Sequence, residues 1–391
     1  MNRTLLKAAV LSISLLLLAA TAVSPALANI SAAFKGTSAQ TIMLLVALPS
    51  MTMVLASLVF GKLSEFLSRR GLFYLAMALF LIGGITPYFM NDLTMILAMR
   101  AILGLSLGII FPLSIVLISD FFEGNERDTV MGLQSVFVNL GGIIFSMLGG
   151  LLCAVDWHNT FLAYAVGFVV FLFVYAYLPE PAKIKPAAGP DNLTEKAPLS
   201  GKVYFMEFLV FFYNMLIFAF FTNVAIQVVG ENLGNAASAG LALTVFTGGG
   251  LVGGLLFGKA MQALKSFTIP LGWLITGIGM ALVSGMHDFN VILVGCFIGG
   301  IGFSTTCPAF FVTLSIMSPP SRVAFSIALA SALSGIGQFV APFVFEAIAG
   351  PFNQGPGRFY LLVSAVAFLS VGVLLLLQNY TQQPKAVDVK S

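Results

Sequence analysis

Met90-Asn91-Asp92-Leu93-Thr94-Met95-Ile96-Leu97 reappears 196 residues downstream as Met286-His287-Asp288-Phe289-Asn290-Val291-Ile292-Leu293. The Met, Asp, Ile and Leu positions coincide, and the register continues without a gap. Ile102, Gly104 and Pro112 fall opposite Ile298, Gly300 and Pro308. Upstream, Gly61-Lys62 matches Gly258-Lys259 at a spacing of 197. Self-similarity of this period marks a chain built from two copies of one multi-helix unit.

Hydrophobic residues make up 59% of the 391 and charged residues 8%, with a mean hydropathy of +1.02. A soluble domain carries about 25% charged residues, so a water-soluble enzyme is excluded. Apolar runs bounded by charges, Pro or Gly clusters predict twelve spans, near 5–28, 39–61, 71–90, 93–119, 128–153, 160–178, 203–229, 236–258, 267–286, 289–317, 323–349 and 358–378. At about 20 to 25 residues each, twelve spans use roughly 240 to 300 residues, and almost the whole chain is membrane. The repeat offset covers an even number of spans, so the halves 1–178 and 203–391 share one orientation. Between them, 179–202 is a linker with Pro179, Pro181, Pro186, Pro190, Pro198 and mixed charges. The expected fold is an all-α membrane protein with twelve transmembrane helices in two six-helix pseudo-symmetric halves.

Fifteen Lys and Arg residues fall on the side of the termini, Lys35 and Arg358 on the other, and Arg100 inside a span. The positive-inside rule then puts both termini in the cytoplasm of a multi-pass plasma (inner) membrane protein. Arg3, Lys7, the apolar run and Ala26-Leu27-Ala28 also fit a cleaved signal peptide, but the repeat pairs the first span with the seventh and argues for its retention. A net charge of +3, spread over short loops, offers no nucleic-acid surface. Cys153, Cys296 and Cys307 sit in apolar runs and read as packing residues. His158 and His287, both in outer loops, offer no metal site. Gly253 to Lys259 spells G-x-x-x-x-G-K, yet Ala260 follows where a Mg²⁺-binding Ser or Thr is required, and the segment is an apolar helix. With no nucleotide signature, energy has to come from a gradient.

Gly61-Lys62-Leu63-Ser64-Glu65-Phe66-Leu67-Ser68-Arg69-Arg70-Gly71 lies in the short loop after span 2. Here the chain resembles the major facilitator superfamily, whose loop signature of Gly, Leu, an acid and paired basic residues falls on Gly61, Leu63, Glu65, Arg69 and Arg70. Glu65 stands for the usual Asp, Phe66 for a basic residue and Ser68 for a Gly. The resemblance implies a gating latch that, with Asp120 ending span 4, holds the halves outward-open; its ion pairs break and remake as the halves rock. A positive-inside anchor is the plainer reading of the same charges. In span 4, Arg100-x-x-x-Gly104-x-x-x-Gly108 is similar to the family's second motif. Its glycines permit close helix packing, and the resemblance gives Arg100 a part in proton transfer or in keeping a nearby acid charged. An intramembrane Arg is costly enough to point to function, although Arg100 lies about 12 Å from its helix end at 1.5 Å per residue, within snorkelling reach. The third motif, that of drug:proton antiporters, is echoed by Gly132, Gly141, Gly142, Gly149 and Gly150. Phe145 and Ser146 stand where its Gly-Pro would be.

Glu346, near the outer end of span 11, shares the outer half of the membrane with Arg100 and is a candidate proton carrier; Glu207, near the inner end of span 7, is the lesser one. Either also suits an interface. Thr21, Ser50, Thr52, Ser114, Asn139, Asn214, Ser304, Thr305, Thr306 and Gln338 lie near mid-membrane and are all uncharged. Carriers of this architecture bind cargo near the midplane, so Asn139, Asn214, Thr305 and Gln338 are candidate substrate ligands; helix-to-helix hydrogen bonding is their alternative use. With 37 Phe and 16 Met, a cavity among these helices would be greasy and adaptable. The expectation is a monomeric secondary transporter in membrane lipid, with no metal or cofactor. It exchanges protons for small lipophilic compounds by alternating access, similar to the multidrug efflux branch. Uptake or facilitated diffusion of a small organic metabolite is the alternative, because no midplane acid is present and the Gly-Pro is absent.

Overall fold

The computed structural model describes residues 3–179, 199–319 and 322–382. Linker residues 180–198, with Lys183, Lys185 and Lys196, and the tail with Lys385 and Lys390 lie outside the described residues. Among the described residues every regular element is a helix.

The repeated Asp is the start signal of two matched helices. Asp92 accepts a hydrogen bond from the Met95 N–H at 2.9 Å and caps α5 (Leu93–Phe121). Asp288 accepts from the Asn290 and Val291 N–H groups and caps α11 (Phe289–Met317). Both helices are 29 residues long and carry an internal proline, Pro112 and Pro308. Their small residues pack alike. A methyl group at Gly104 would sit 2.0 Å from Thr52 Oγ1 in α3 (Ala39–Phe66), and one at Gly300 would sit 1.9 Å from the Phe246 carbonyl in α9 (Ala236–Leu264). Gly108 meets α3 again at Met53 and Ala56. Gly83 of α4 (Arg69–Ile85) lies against Met99 and Leu103, and Gly279 of α10 (Thr268–Gly285) lies against Gly295 and Gly299. The Gly83 and Gly279 contacts coincide after a shift of 196 residues, and Gly104 and Gly300 meet the carbonyls of Pro49 and Phe246, which lie 197 residues apart.

Eleven segments among the described residues are long and apolar enough to cross a membrane. The longest, Ala236–Gly285, has 50 residues and contains both α9 and α10, parted at Lys265, whose φ of 49° ends α9. The remaining elements are α6 (Gly124–Cys153), α7 (Val166–Tyr177) after a 3₁₀ turn at Trp157–Ala165, α8 (Gly201–Gly230), α12 (Val323–Ala349) and α13 (Arg358–Gln382). The protein is a multi-pass membrane protein.

The first span is not the continuous α-helix that its apolar run predicts. α1 (Arg3–Ser14) tightens into a 3₁₀ stretch, Leu15–Ala26, and resumes as α2 (Leu27–Ala33), with Leu18 at φ −100°, ψ 15°. Two physical causes are visible. Pro25 has no N–H to offer the preceding turn, and α6 presses on this backbone. A methyl at Gly141 would lie 1.9 Å from the Leu15 carbonyl, and one at Gly149 2.0 Å from the Ala22 carbonyl. Carbonyls released from the α-helical pattern need donors where there is no water. The Thr21 hydroxyl donates to Leu18 O at 2.7 Å, and Arg100 donates to Ala20 O at 3.1 Å.

At the end of the bundle nearest the first described residue, Arg3 and Lys7 pair with Glu126. The Arg3 hydrogen bond, followed by that of Lys7, holds the Glu126 carboxyl below the usual carboxylate range. At the opposite end Arg358 pairs with Glu231 and donates to the Ser284 and Met286 carbonyls. There, α6 and α9 touch: a methyl at Gly150 would meet Ala236 O at 2.7 Å and Gly240 Cα at 2.8 Å. Toward the first end the two helices part, leaving Gly132, Leu133 and Ser135 of α6 and Gly254, Leu255, Leu256 and Gly258 of α9 exposed. α6 and α9 are thus closed on each other at one end and splayed at the other. Replacing Gly149 by Ala should therefore destabilise the protein by about 1–3 kcal/mol through overpacking. Gly132→Ala, with nothing within 4 Å of its new methyl, should melt at the wild-type temperature or above it; thermal unfolding in detergent compares the two.

Candidate functional site

Where the 3₁₀ stretch of the first span, α3 and α6 face α8, α9, α11 and α12, they enclose a cavity of about 220 Å³. One wall is aliphatic with a few polar groups: Leu17, Leu18, Ala20 and Thr21, then Val46, Pro49, Ser50 and Met53 of α3, Leu107 and Asn139. The other carries Phe218 and Phe221 of α8, Phe246 of α9 and Phe303 of α11, with Ile217, Thr247, Gly250, Ser304 and Gln338. None of these lining residues is charged.

Gln338 is the polar hub. Its Oε1 accepts a hydrogen bond from the Ser50 hydroxyl at 2.7 Å, which ties α12 to α3, and its amide NH₂ donates to Asn214 Oδ1 at 3.4 Å. Asn214 lies one layer behind the wall, its own NH₂ donating to Val210 O at 2.9 Å. Asn139 lines the cavity and donates to Ser135 O at 2.9 Å, with its Oδ1 directed at Gly250. Thr305 is not among the lining residues; its hydroxyl donates to Ile301 O at 2.7 Å, and the preceding Ser304 lines the wall instead. Of the four candidate ligands, two face the cavity and a third supports one of them.

Arg100 is fully buried. Its Nε donates to Leu45 O at 2.6 Å in α3, Nη2 to Ala20 O in the first span, and Nη1 to the Tyr164 hydroxyl, with the guanidinium carbon 5.6 Å from that ring. No carboxylate among the described residues contacts it. Glu346 lies apart, accepting from the Tyr360 hydroxyl on α13, while Phe345 stacks on the Tyr360 ring. Glu207 is the more enclosed acid at 2% exposed; the Ser326 hydroxyl donates to its Oε1 at 2.7 Å and its Oε2 has no partner among the described residues.

The loop after α3 brings Arg69 Nε to 3.1 Å from Asp120 Oδ2 at the end of α5. Arg70 donates to Tyr175 O at 3.2 Å and covers the Tyr74 and Tyr175 rings, each 5.8 Å away. Gly61 is exposed with nothing within 4 Å, and the Glu65 side chain lies outside the described residues. In the loop before the 3₁₀ turn at Trp157, the His158 backbone N–H and then its ring bond Asp156, holding that carboxyl below its ordinary range; the ring also meets Asn91 at 3.1 Å.

The aromatic wall is the part of the site that residue chemistry alone did not single out. The repeat contained a signal for it. Adding 197 to Pro49, the offset of that part of the repeat, gives Phe246, and adding 196 to Leu107 gives Phe303; all four line the cavity.

Apolar helices enclosing an uncharged cavity, splayed at one end, form the architecture of a membrane carrier. The sequence profile of the Major Facilitator Superfamily matches residues 9–228 and, in a second match, 208–391. The chain belongs to that family, and it is a transporter, not an enzyme. The Quinolone resistance protein NorA of Staphylococcus aureus (strain COL) is 23% identical over 85% of this chain and 84% of its own length. Among solved structures, a bacterial homolog of the human lysosomal transporter Spinster, inward-facing and unoccupied, has a TM-score of 0.74 at 16% identity, covering 95% of each chain. A D-xylose-proton symporter also gives 0.74 at 16% identity, covering 96% of this chain and 97% of its own.

Arg100 holds three helices by charge-assisted hydrogen bonds worth about 1.5–3 kcal/mol each. Arg100→Leu should lower the melting temperature more than Glu346→Gln does. Arg100→Lys should recover little of the loss, because one ammonium cannot span three fixed acceptors; full recovery with Lys would contradict the clamp.

Proposed function

We propose that this transporter exports small lipophilic compounds across the plasma (inner) membrane in exchange for protons, by alternating access. The carrying observation is the enclosed cavity, whose walls are aliphatic and aromatic with only neutral polar groups; such a site rewards apolar cargo by burial. The relative named for quinolone resistance adds support for efflux.

The rocking bodies are residues 1–178 and 203–391, six helices each. Ala236–Gly285 crosses the membrane twice, as α9 and α10, which makes twelve spans. Twin packing at Gly83/Gly279 and Gly104/Gly300 supports that division, as does the second profile match. Both termini and the linker face the cytoplasm, so the splayed end is the cytoplasmic one. Gly61, Glu65, Arg69, Arg70 and Asp120 form the latch; its Arg69–Asp120 pair stands within one half, and its contacts to the other half are made in the outward-open state. Cargo contacts Asn139 and Gln338, with Asn214 and Thr305 behind them. Arg100 and Glu346 are the proton-coupling residues, Glu346 carrying the proton, and the fixed charge of Arg100 also bars uncoupled cations from the cavity. No cofactor takes part; the proton gradient supplies the energy, and the monomer suffices.

A proton symporter or a uniporter for a small organic metabolite is the second reading, favoured by one observation: no carboxylate lines the cavity. Purified protein in liposomes with a trapped pH dye and an imposed gradient separates the two. Export by exchange predicts that a lipophilic drug panel drives proton movement opposite to its own flux, and that Glu346→Gln abolishes gradient dependence while sparing cargo exchange. Co-directional or absent proton movement would sink the antiport reading.

A further inference from the structure

The cavity combines three features that bear on what kind of molecule it holds. Its aromatic rings all belong to helices after the linker, and Phe220 stacks on Phe246 from behind with centroids 4.5 Å apart, so the Phe246 ring is held firmly in that wall. The facing wall carries neutral groups able both to donate and to accept. A full positive charge lies directly behind the wall: Ala20 lines the cavity, and its carbonyl accepts a hydrogen bond from Arg100.

Resting on the export reading above, we infer that the site selects neutral aromatic molecules with a hydrogen-bonding edge over lipophilic cations, and that Gln338 reads that edge by exchanging its Ser50 bond for a bond to cargo. A cation entering this cavity loses its hydration and finds no carboxylate to replace it, while Arg100 repels it through a single layer of backbone. Phenylalanine faces return only part of the hydration that the cation has lost. A neutral molecule of the same shape meets neither penalty. Its ring lies on Phe246 and its polar edge reaches Gln338, whose amide offers both a carbonyl and an NH₂. Displacing Ser50 from Gln338 also removes a hydrogen bond between α3 and α12, which belong to opposite sides of the linker. Cargo binding and release of that tie are thus one event.

The test uses two isosteric probes, N-(3,3-dimethylbutyl)-1-naphthamide and its N-(2-trimethylammonioethyl) analogue, which differ only in a quaternary carbon or nitrogen. Binding to the full-length protein in nanodiscs is measured by equilibrium dialysis against empty nanodiscs. The neutral probe should bind at least about ten-fold tighter than the cation, the scale of one lost charge compensation. Equal or tighter cation binding overturns the inference. A third probe, 1-(4,4-dimethylpentyl)naphthalene, lacks the amide. Gln338→Leu should weaken the naphthamide by about five- to ten-fold, as expected for one neutral hydrogen bond, and leave the hydrocarbon unchanged. Equal weakening of both would reduce Gln338 to a structural role and overturn its part. Gln338→Glu should reverse the order of neutral and cationic probes, and an unchanged order counts against it. The wild-type comparison stands even if a variant misfolds. Loss of all panel transport in liposomes would refute export itself, whereas transport with cation preference would refute only this selectivity.

Discussion

A backbone inside a bilayer has to satisfy every N–H and C=O from within the protein, and the first span breaks the easiest way of doing so. Its 3₁₀ stretch, Leu15–Ala26, leaves carbonyls that Thr21 and Arg100 take up. Because Arg100 holds Leu45 O and Tyr164 as well, one guanidinium fixes the first span, α3 and the segment leading into α7 on α5. The cavity wall formed by Leu17, Leu18 and Thr21 exists in this shape only while that clamp holds. A charge that a hydropathy profile marks as an intruder is, in three dimensions, the keystone of the cavity's first wall.

Close approach of helices is the complementary requirement. Lipid gives apolar helices no reason to prefer one another, so packing depends on small residues. The α6 glycines divide this work between two partners. Gly141 and Gly149 admit the first span, Gly150 faces Gly240 of α9, and Gly142 sits between Leu18 and Thr247. One helix thereby shapes the cavity and closes the end away from the termini. The glycines of α5 and α11 press α3 and α9 inward in the same way.

Much of this was legible in the sequence. The 196-residue repeat aligned Asp92 with Asp288, Gly104 with Gly300 and Pro112 with Pro308, and the glycines of span 4 read as packing residues; that the two Asp residues cap helices is visible only in the structure. The expectation that bulky amides at mid-membrane line a cavity places Gln338 and Asn139 correctly but not Asn214, which sits behind the wall with its amide spent on Val210 O. The 3₁₀ stretch was not legible. It arises from pressure by α6 and donors supplied by α5, both remote in sequence, and an apolar run reads equally well as either helix type. Thr305 illustrates the same limit: a helix exposes Ser304 and Thr305 about 100° apart, and span edges uncertain by a few residues cannot choose between them. The phenylalanine wall was hidden among 37 similar residues.

The enclosed cavity lies between two ends that differ: α6 and α9 meet at one, and their facing glycines are exposed at the other. Spin labels at positions 132 and 258 report the splayed end, and labels at 155 and 230 report the closed one, in a background with Cys153, Cys296 and Cys307 replaced. Alternating access predicts opposed changes when cargo and a proton gradient are applied in liposomes, the 132–258 distance shortening as the 155–230 distance lengthens. Distances that stay fixed, or that move in the same direction, would contradict two rocking halves about a central site.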